Sequence, residues 1–247
     1  MLGYSVMLMA ATPTIAIVRS IGDDQLTAPT PCTEFDVRGL MDHLLHWAPP
    51  LEGAARKELV PPRDGGGGNS AGPGDDERVV LVDQIDRIAK AWSEPSAWEG
   101  TTRMGSPTEL PASMIGGMVL GEIVVHGWDL ARATGQASEW DGEVLSFVHR
   151  ELELTAEQGR AMGVYRDRVE VPDTASVLDK ILGMTGRDPG WTASQPDEGR
   201  RHPCRSSPEG VSLSDRAFGR RPGPIGPAPQ GEPMTDRGAP GRPVVVP

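Results

Sequence analysis

The chain has 247 residues, which is enough for one good-sized domain or for one domain with tails. Hydrophobic residues make up only 37% of it, and it contains 31 glycines and 24 prolines, so we expect part of the chain to be unstructured. The formal net charge of −11 argues against nucleic acid or an anionic membrane as the main partner, since both select for lysine and arginine.

The few cysteines and the apolar segments indicate the cellular compartment. Two cysteines, Cys32 and Cys204, lie in very different surroundings and predict a reducing compartment without a disulfide framework. No basic residue precedes Arg19, so the apolar N-terminus lacks the charged start of a signal peptide. Residues 110–130 approach membrane-spanning length, but they include glutamate, histidine and glycines and predict a buried core helix. We therefore expect a cytoplasmic protein with no membrane partner.

Two helices are predicted in the first 50 residues. A weak one runs over residues 5–21 and is disturbed by Pro13. The second follows Thr33 and Asp36, which resemble a helix-start signature, and we expect Pro49-Pro50 to end it. Its apolar positions recur at helical spacing: Val37, Leu40, Leu44 and Trp47.

The rest of the chain predicts an all-α fold. Residues 61–75 are rich in glycine and predict a flexible loop. Helical periodicity then predicts further helices over residues 76–92, from Pro111 to Gly135, and over 141–158 and 174–184. Helices of this length joined by modest loops are typical of a bundle, and no convincing strand pattern occurs in the first 190 residues.

The composition changes sharply after Trp191. Proline and glycine make up about a third of residues 192–247, a level at which disorder is expected. We therefore divide the chain into a helical bundle over residues 1–191, with an extension from about residue 137, and a disordered tail over residues 192–247.

Glu122 and His126 are the main chemical signal, because they interrupt an otherwise apolar run over residues 114–129. A buried ionised carboxylate must be paired, neutralised or bound to a metal ion. The spacing of four residues puts both side chains on one helical face, within reach of one shared ion. The pair predicts a metal site, with a buried ion pair as the plainer alternative.

A metal site needs a third ligand from another helix, and His43 and His46 are the candidates. At about 100° per residue, His43 flanks the apolar stripe of its helix, whereas His46 is expected to point to solvent. His43 is therefore the better ligand. A set of two histidines and one glutamate suits zinc with an open fourth position, and it also suits iron, nickel or cobalt.

Other residues have plainer interpretations or could close the site. His46, Asp42 or Asp129 could supply a fourth ligand if the helical phase differs from the expected one. Asp129 could also orient a histidine ligand or form a salt bridge at the helix end. Cys32 lacks a neighbouring base and is expected to be a buried structural thiol. The remaining histidines are expected at the surface or in the tail: His149 and His202.

Two segments carry a family resemblance. LTAPTPCTEFDVRGLMDH at residues 26–43 and GEIVVHGWDLARATG at residues 121–135 closely resemble the metal-binding domain of mycothiol-dependent maleylpyruvate isomerase, within the DinB/YfiT-like superfamily. VEVPD at residues 169–173 and LGMTGRDPGW at residues 182–191 resemble the ending of an actinobacterial subgroup of single-domain members. The resemblance covers roughly residues 15–191.

The resemblance implies a site and a chemistry. The family holds a metal ion, usually zinc, with one histidine on one helix and a Glu-x-x-x-His pair on another, and the matching positions are His43, Glu122 and His126. It also implies a four-helix bundle with the metal near one end. The implied partners are a small thiol such as mycothiol and a small electrophilic substrate, in a transferase or isomerase reaction.

The resemblance is less complete for the reaction than for the metal site. The isomerase has a further C-terminal α/β domain, whereas a short helical extension and the tail are predicted here. A non-catalytic module with a structural or sensory ion therefore stays open as the alternative.

Overall fold

The computed structural model describes residues 3–63, 76–161 and 163–193. Residues 194–247 of the predicted tail, which include His202 and Cys204, and most of the predicted loop over residues 61–75 lie outside these ranges. The described residues form six α-helices: α1 (Gly3–Arg19), α2 (Val37–Ala55), α3 (Glu77–Trp92), α4 (Ala112–Thr134), α5 (Gly142–Ala161) and α6 (Val177–Met184). The only strands among them are two antiparallel pieces that were not predicted, β1 (Thr101–Thr102) and β2 (Leu110–Pro111). The predicted all-α fold is confirmed.

Helices α1 to α4 form the bundle, and α5 and α6 extend it. Both α1 and α2 pack against α3 and α4. Helix α5 packs against α4 and α1, and α6 packs against α5. One continuous apolar core joins all six helices. This arrangement places the faces of α2 and α4 against each other, as the predicted site requires.

Helix α4 is the core helix of the bundle. Among the described helices, it alone is long and apolar enough to span a membrane. However, 83% of its most apolar 18-residue stretch is buried inside the protein. Its glycines allow close packing: a Cβ at Gly127 would lie 2.5 Å from Oγ1 of Thr14 on α1. The Thr14 hydroxyl donates a hydrogen bond to the carbonyl oxygen of Ile123 at 3.0 Å. Helix α1 therefore rests directly on the segment of α4 that carries His126.

The prediction that Pro49-Pro50 ends α2 is wrong, because α2 continues through both prolines to Ala55. Proline has no backbone N–H, so Pro50 cannot pair with the carbonyl of His46 four residues earlier. The backbone N–H of Arg63 donates to that carbonyl instead, at 3.1 Å. The lost helical hydrogen bond is thus replaced by one from the following loop.

Two other local predictions change in detail. Asp36, not Thr33, caps α2, and its carboxylate accepts a hydrogen bond from the backbone N–H of Gly39 at 2.7 Å. Pro13 lies inside α1 without ending it. The carbonyl that loses its helical partner belongs to Met9, which lies on the exposed face of α1.

Candidate metal centre

His43 on α2 and the pair Glu122 and His126 on α4 come together between the two helices. Nε2 of His43 lies 3.2 Å from Oε1 of Glu122, and Nε2 of His126 lies 3.4 Å from the same oxygen. One ligand atom from each of the three side chains lies within 4.8 Å of the others. The residues that the sequence selected are therefore neighbours, and their binding of a metal ion stays a prediction.

The spacing of these atoms fits a shared ion. Two ligand atoms at about 2.0–2.1 Å from a tetrahedral zinc ion lie roughly 3.3 Å apart. The two distances from Oε1 of Glu122, 3.2 Å to His43 and 3.4 Å to His126, are close to this value. Two imidazoles and one carboxylate also form a donor set that binds zinc or iron. The residues present therefore fit a divalent cation.

One side of the site is open to solvent. The side chains of His43 and Glu122 are 23% and 27% exposed, whereas that of His126 is 9% exposed. The ring of Phe35 packs on the ring of His43 with centroids 5.1 Å apart, and it limits the rotation of that imidazole. The site therefore contacts solvent through His43 and Glu122.

The site has strongly shifted pKa values. Burial alone would raise the pKa of Glu122, but the charges and hydrogen bonds of His126 and His43 outweigh it and hold this pKa well below its usual value. Burial would lower the pKa of His126, but the Glu122 charge and the Asp129 hydrogen bond raise it to about 9. Without a metal ion, a proton on His126 therefore neutralises the carboxylate.

Asp129 holds the other side of the His126 ring. Nδ1 of His126 donates a hydrogen bond to Oδ2 of Asp129 at 2.9 Å, and this carboxylate is fully buried. Nη2 of Arg187 donates to the same oxygen at 3.2 Å. Asp129 therefore both orients the histidine and forms a salt bridge, the two roles that the sequence left open. A partner of this kind fixes the ring and keeps Nε2 available to a metal ion.

Arg187 was not predicted as part of the site. A complete Schellman motif at the end of α6 positions it: Gly186 has φ = 80°, and its N–H donates to the carbonyl of Gly183. The N–H of Arg187 donates to the carbonyl of Leu182 at 2.8 Å. Arg187 lies within residues 182–191, the segment that resembles the ending of the family subgroup. Nothing in the order of these residues links Arg187 to the metal ligands.

The other proposed fourth ligands do not join the three. His46 and Asp42 are not part of the ligand-atom group among the described residues. His46 was predicted to point to solvent, and it is half-buried instead: its Nδ1 is enclosed and its ring packs edge-on against Trp47. Asp129 faces Nδ1 of His126, the nitrogen that points away from Glu122. Elsewhere, His149 is half-buried on α5, with Nδ1 3.9 Å from a carboxylate oxygen of Glu153.

Cys32 lies close to the centre but has the character of an inert thiol. It carries a free thiol, and burial raises its pKa to about 11. Its sulfur lies within 4.8 Å of ligand atoms of His126 and Asp129, which makes a second possible group. The nearby cation of Arg187 opposes a metal ion there, since it already pairs with Asp129. At neutral pH this thiol stays protonated, which disfavours a nucleophilic role.

Removing the charge of Arg187 tests the orientation of His126. We expect Arg187→Met to weaken zinc binding by roughly 10–100-fold, the usual effect of losing a group that orients a ligand. Competition with a zinc-chelating dye measures the affinity. Arg166→Met is the matched control, since Arg166 pairs with Glu34 at 3.6 Å and its side chain is 46% exposed. Equal zinc affinity of the wild type and Arg187→Met would rule out this role.

The raised pKa of His126 predicts how the stability of the metal-free protein depends on pH. The protonated ring stabilises the fold below its unfolded pKa of 6.5, and this contribution is lost as the pH rises through about 9. The lowered pKa of Glu122 stabilises the fold above 4.5, and its contribution is lost as the pH falls below that value.

Denaturant unfolding of chelator-treated wild type and His126→Gln measures this contribution. We expect the difference in unfolding free energy to be largest between pH 4.5 and 6.5 and to shrink towards pH 9. His149→Gln, on α5, is the control and should show no such trend. A difference that stays constant between pH 6.5 and 9 would contradict the assignment.

Comparisons with known proteins identify the family of the domain that carries these three residues. Residues 10–131 match the family model of the mycothiol maleylpyruvate isomerase N-terminal domain. The chain is also 25% identical over 175 residues to two uncharacterised proteins of Mycobacterium tuberculosis strains, Rv0738 and MT0763, which covers 70% of this chain and 90% of each relative. No solved structure matches the chain significantly. Through residues 10–131, which include all three predicted ligands, the chain belongs to the family of mycothiol maleylpyruvate isomerase N-terminal domains.

Proposed function

We propose that this protein binds a divalent metal ion, with zinc as the first choice, through His43, Glu122 and His126. We further propose that it is a thiol-dependent transferase or isomerase that acts on a small electrophile. The observation that carries the proposal is the convergence of the three ligand groups within 4.8 Å of one another. Their open side supports an exchangeable fourth position, which a purely structural ion would not need.

The surrounding residues have distinct parts in this proposal. Glu122 supplies one negative charge and leaves a bound divalent cation with net positive charge. Asp129 holds the His126 ring so that Nε2 points at the site. A bound cation would favour the thiolate over the thiol of a small co-substrate and so supply a nucleophile at neutral pH. The protonated Cys32 does not compete for that role.

The choice of thiol and substrate follows from the family and from the shape of the site. The matching family is named for an isomerase that depends on mycothiol, which makes mycothiol the first thiol to test. The open side next to His43 and Glu122 suits a small molecule, so we propose a small electrophilic carbon compound as the substrate. No other side chain near the centre supplies an activated nucleophile among the described residues.

Metal content tests the site. We expect His126→Ala to reduce bound metal in the purified protein to near zero, because it removes one of three side-chain ligands. His149→Ala is the matched control and should keep the wild-type metal content by elemental analysis. Unchanged stoichiometry in His126→Ala would place the metal elsewhere.

Thiol titration of the cobalt-substituted protein tests the proposed reaction class separately. A thiolate-to-cobalt charge-transfer band on addition of mycothiol would support the transferase or isomerase. A bound cobalt ion whose spectrum no thiol changes would instead favour a structural or sensory ion.

A further inference from the structure

Tyr165 lies against the part of α4 that precedes Glu122, although the sequence did not single it out. It follows α5 in the chain and belongs to the extension beyond the four-helix bundle. Its ring packs on Gly159, where an added Cβ would lie 2.4 Å from ring carbon Cδ2. Its hydroxyl oxygen lies 3.8 Å from the position that a Cβ on Gly121 would occupy. Because Gly121 immediately precedes Glu122, the ring is fixed with its hydroxyl against the part of α4 that carries the ligands.

The hydroxyl of Tyr165 has no hydrogen-bond partner within the part of the chain that the structure describes. The hydroxyl of a largely buried tyrosine usually has one. The oxygen is not fully enclosed either, because it is not one of the enclosed polar atoms without a partner among the described residues. An unused donor that is held in place by packing, and that lies against the helix carrying Glu122 and His126, is suited to a bound molecule.

The charges around the hydroxyl indicate what it can bind. Burial raises the pKa of Tyr165 to about 12, and the negative charge of Glu122 adds to this effect, while Arg187 opposes it. The phenol therefore keeps its proton at neutral pH and can donate a hydrogen bond. Donors of this kind interact most strongly with an anionic acceptor. A thiolate that approaches from the open side is such an acceptor.

We propose that the hydroxyl of Tyr165 donates a hydrogen bond to the anionic atom of the ligand at the open metal position, and so selects thiolates and similar anions over neutral ligands. This inference rests on the proposed function, because it requires an exchangeable position on the ion. It assigns to the C-terminal extension a direct part in ligand binding, outside the segment that matches the family model.

Tyr165→Phe tests the proposal, because it removes only the hydroxyl and keeps the ring on Gly159. The cobalt-substituted protein is titrated with two anionic probes, 2-mercaptoethanol (bound as thiolate) and azide, and with neutral imidazole, while its visible spectrum is recorded. We expect about tenfold weaker binding of both anionic probes, since a hydrogen bond to a charged group is lost, and unchanged imidazole binding. Cobalt stoichiometry should equal that of the wild type. Tyr4→Phe, at the other tyrosine of the chain, is the matched control and should bind all three probes normally.

The probes separate this inference from the proposed function. Anion affinities within twofold of the wild type in Tyr165→Phe would overturn the role of Tyr165 and leave the thiol reaction standing. An equal loss for imidazole would also overturn it, because it would indicate a general distortion of the site. If the wild type binds azide but no thiol, the proposed function fails. The azide affinities of the wild type and Tyr165→Phe then test the role of Tyr165 by themselves. If it binds none of the probes, both proposals are overturned.

Discussion

The carboxylate of Glu122 lies between two imidazoles, with Oε1 3.2 Å from His43 and 3.4 Å from His126, and the rest of the centre depends on this contact. A carboxylate in an apolar helix is unfavourable unless a positive charge neutralises it. The proton on His126 can do so, and a divalent cation can do so more fully. A proton on His126 and a divalent cation would both use the ring nitrogen of His126 and the carboxylate of Glu122. Metal binding and protonation of His126 therefore compete.

The second set of contacts comes from the C-terminal extension. Arg187 and Asp129 form a buried salt bridge that holds His126, and Tyr165 lies beside α4 at Gly121. The family match ends at residue 131, so Arg187 and Tyr165 belong to a part of the chain that it does not cover. In the proposed site, the bundle would supply the three ligands, and the extension supplies Arg187, which pairs with Asp129, and Tyr165, which packs near Gly121.

The sequence predicted the parts of this structure that depend on local periodicity. The helix positions and the facing of His43 towards Glu122 follow from apolar spacing and from the i,i+4 pair. The end of α2 was predicted wrongly because the partner of the His46 carbonyl, Arg63, comes from a loop. Arg187 was missed for a similar reason, since its contact with Asp129 spans 58 residues and follows from tertiary packing. Long-range contacts of irregular segments leave no periodic signal in the sequence.

X-ray absorption spectroscopy at the zinc edge of the zinc-loaded protein is the most direct test of the shared ion. The account predicts a first shell of only nitrogen and oxygen atoms at about 2.0–2.1 Å, with the outer-shell scattering of two imidazoles. A sulfur atom at about 2.3 Å would instead place a cysteine in the first shell. That result, or the scattering of fewer than two imidazoles, would contradict a cation held by His43, Glu122 and His126.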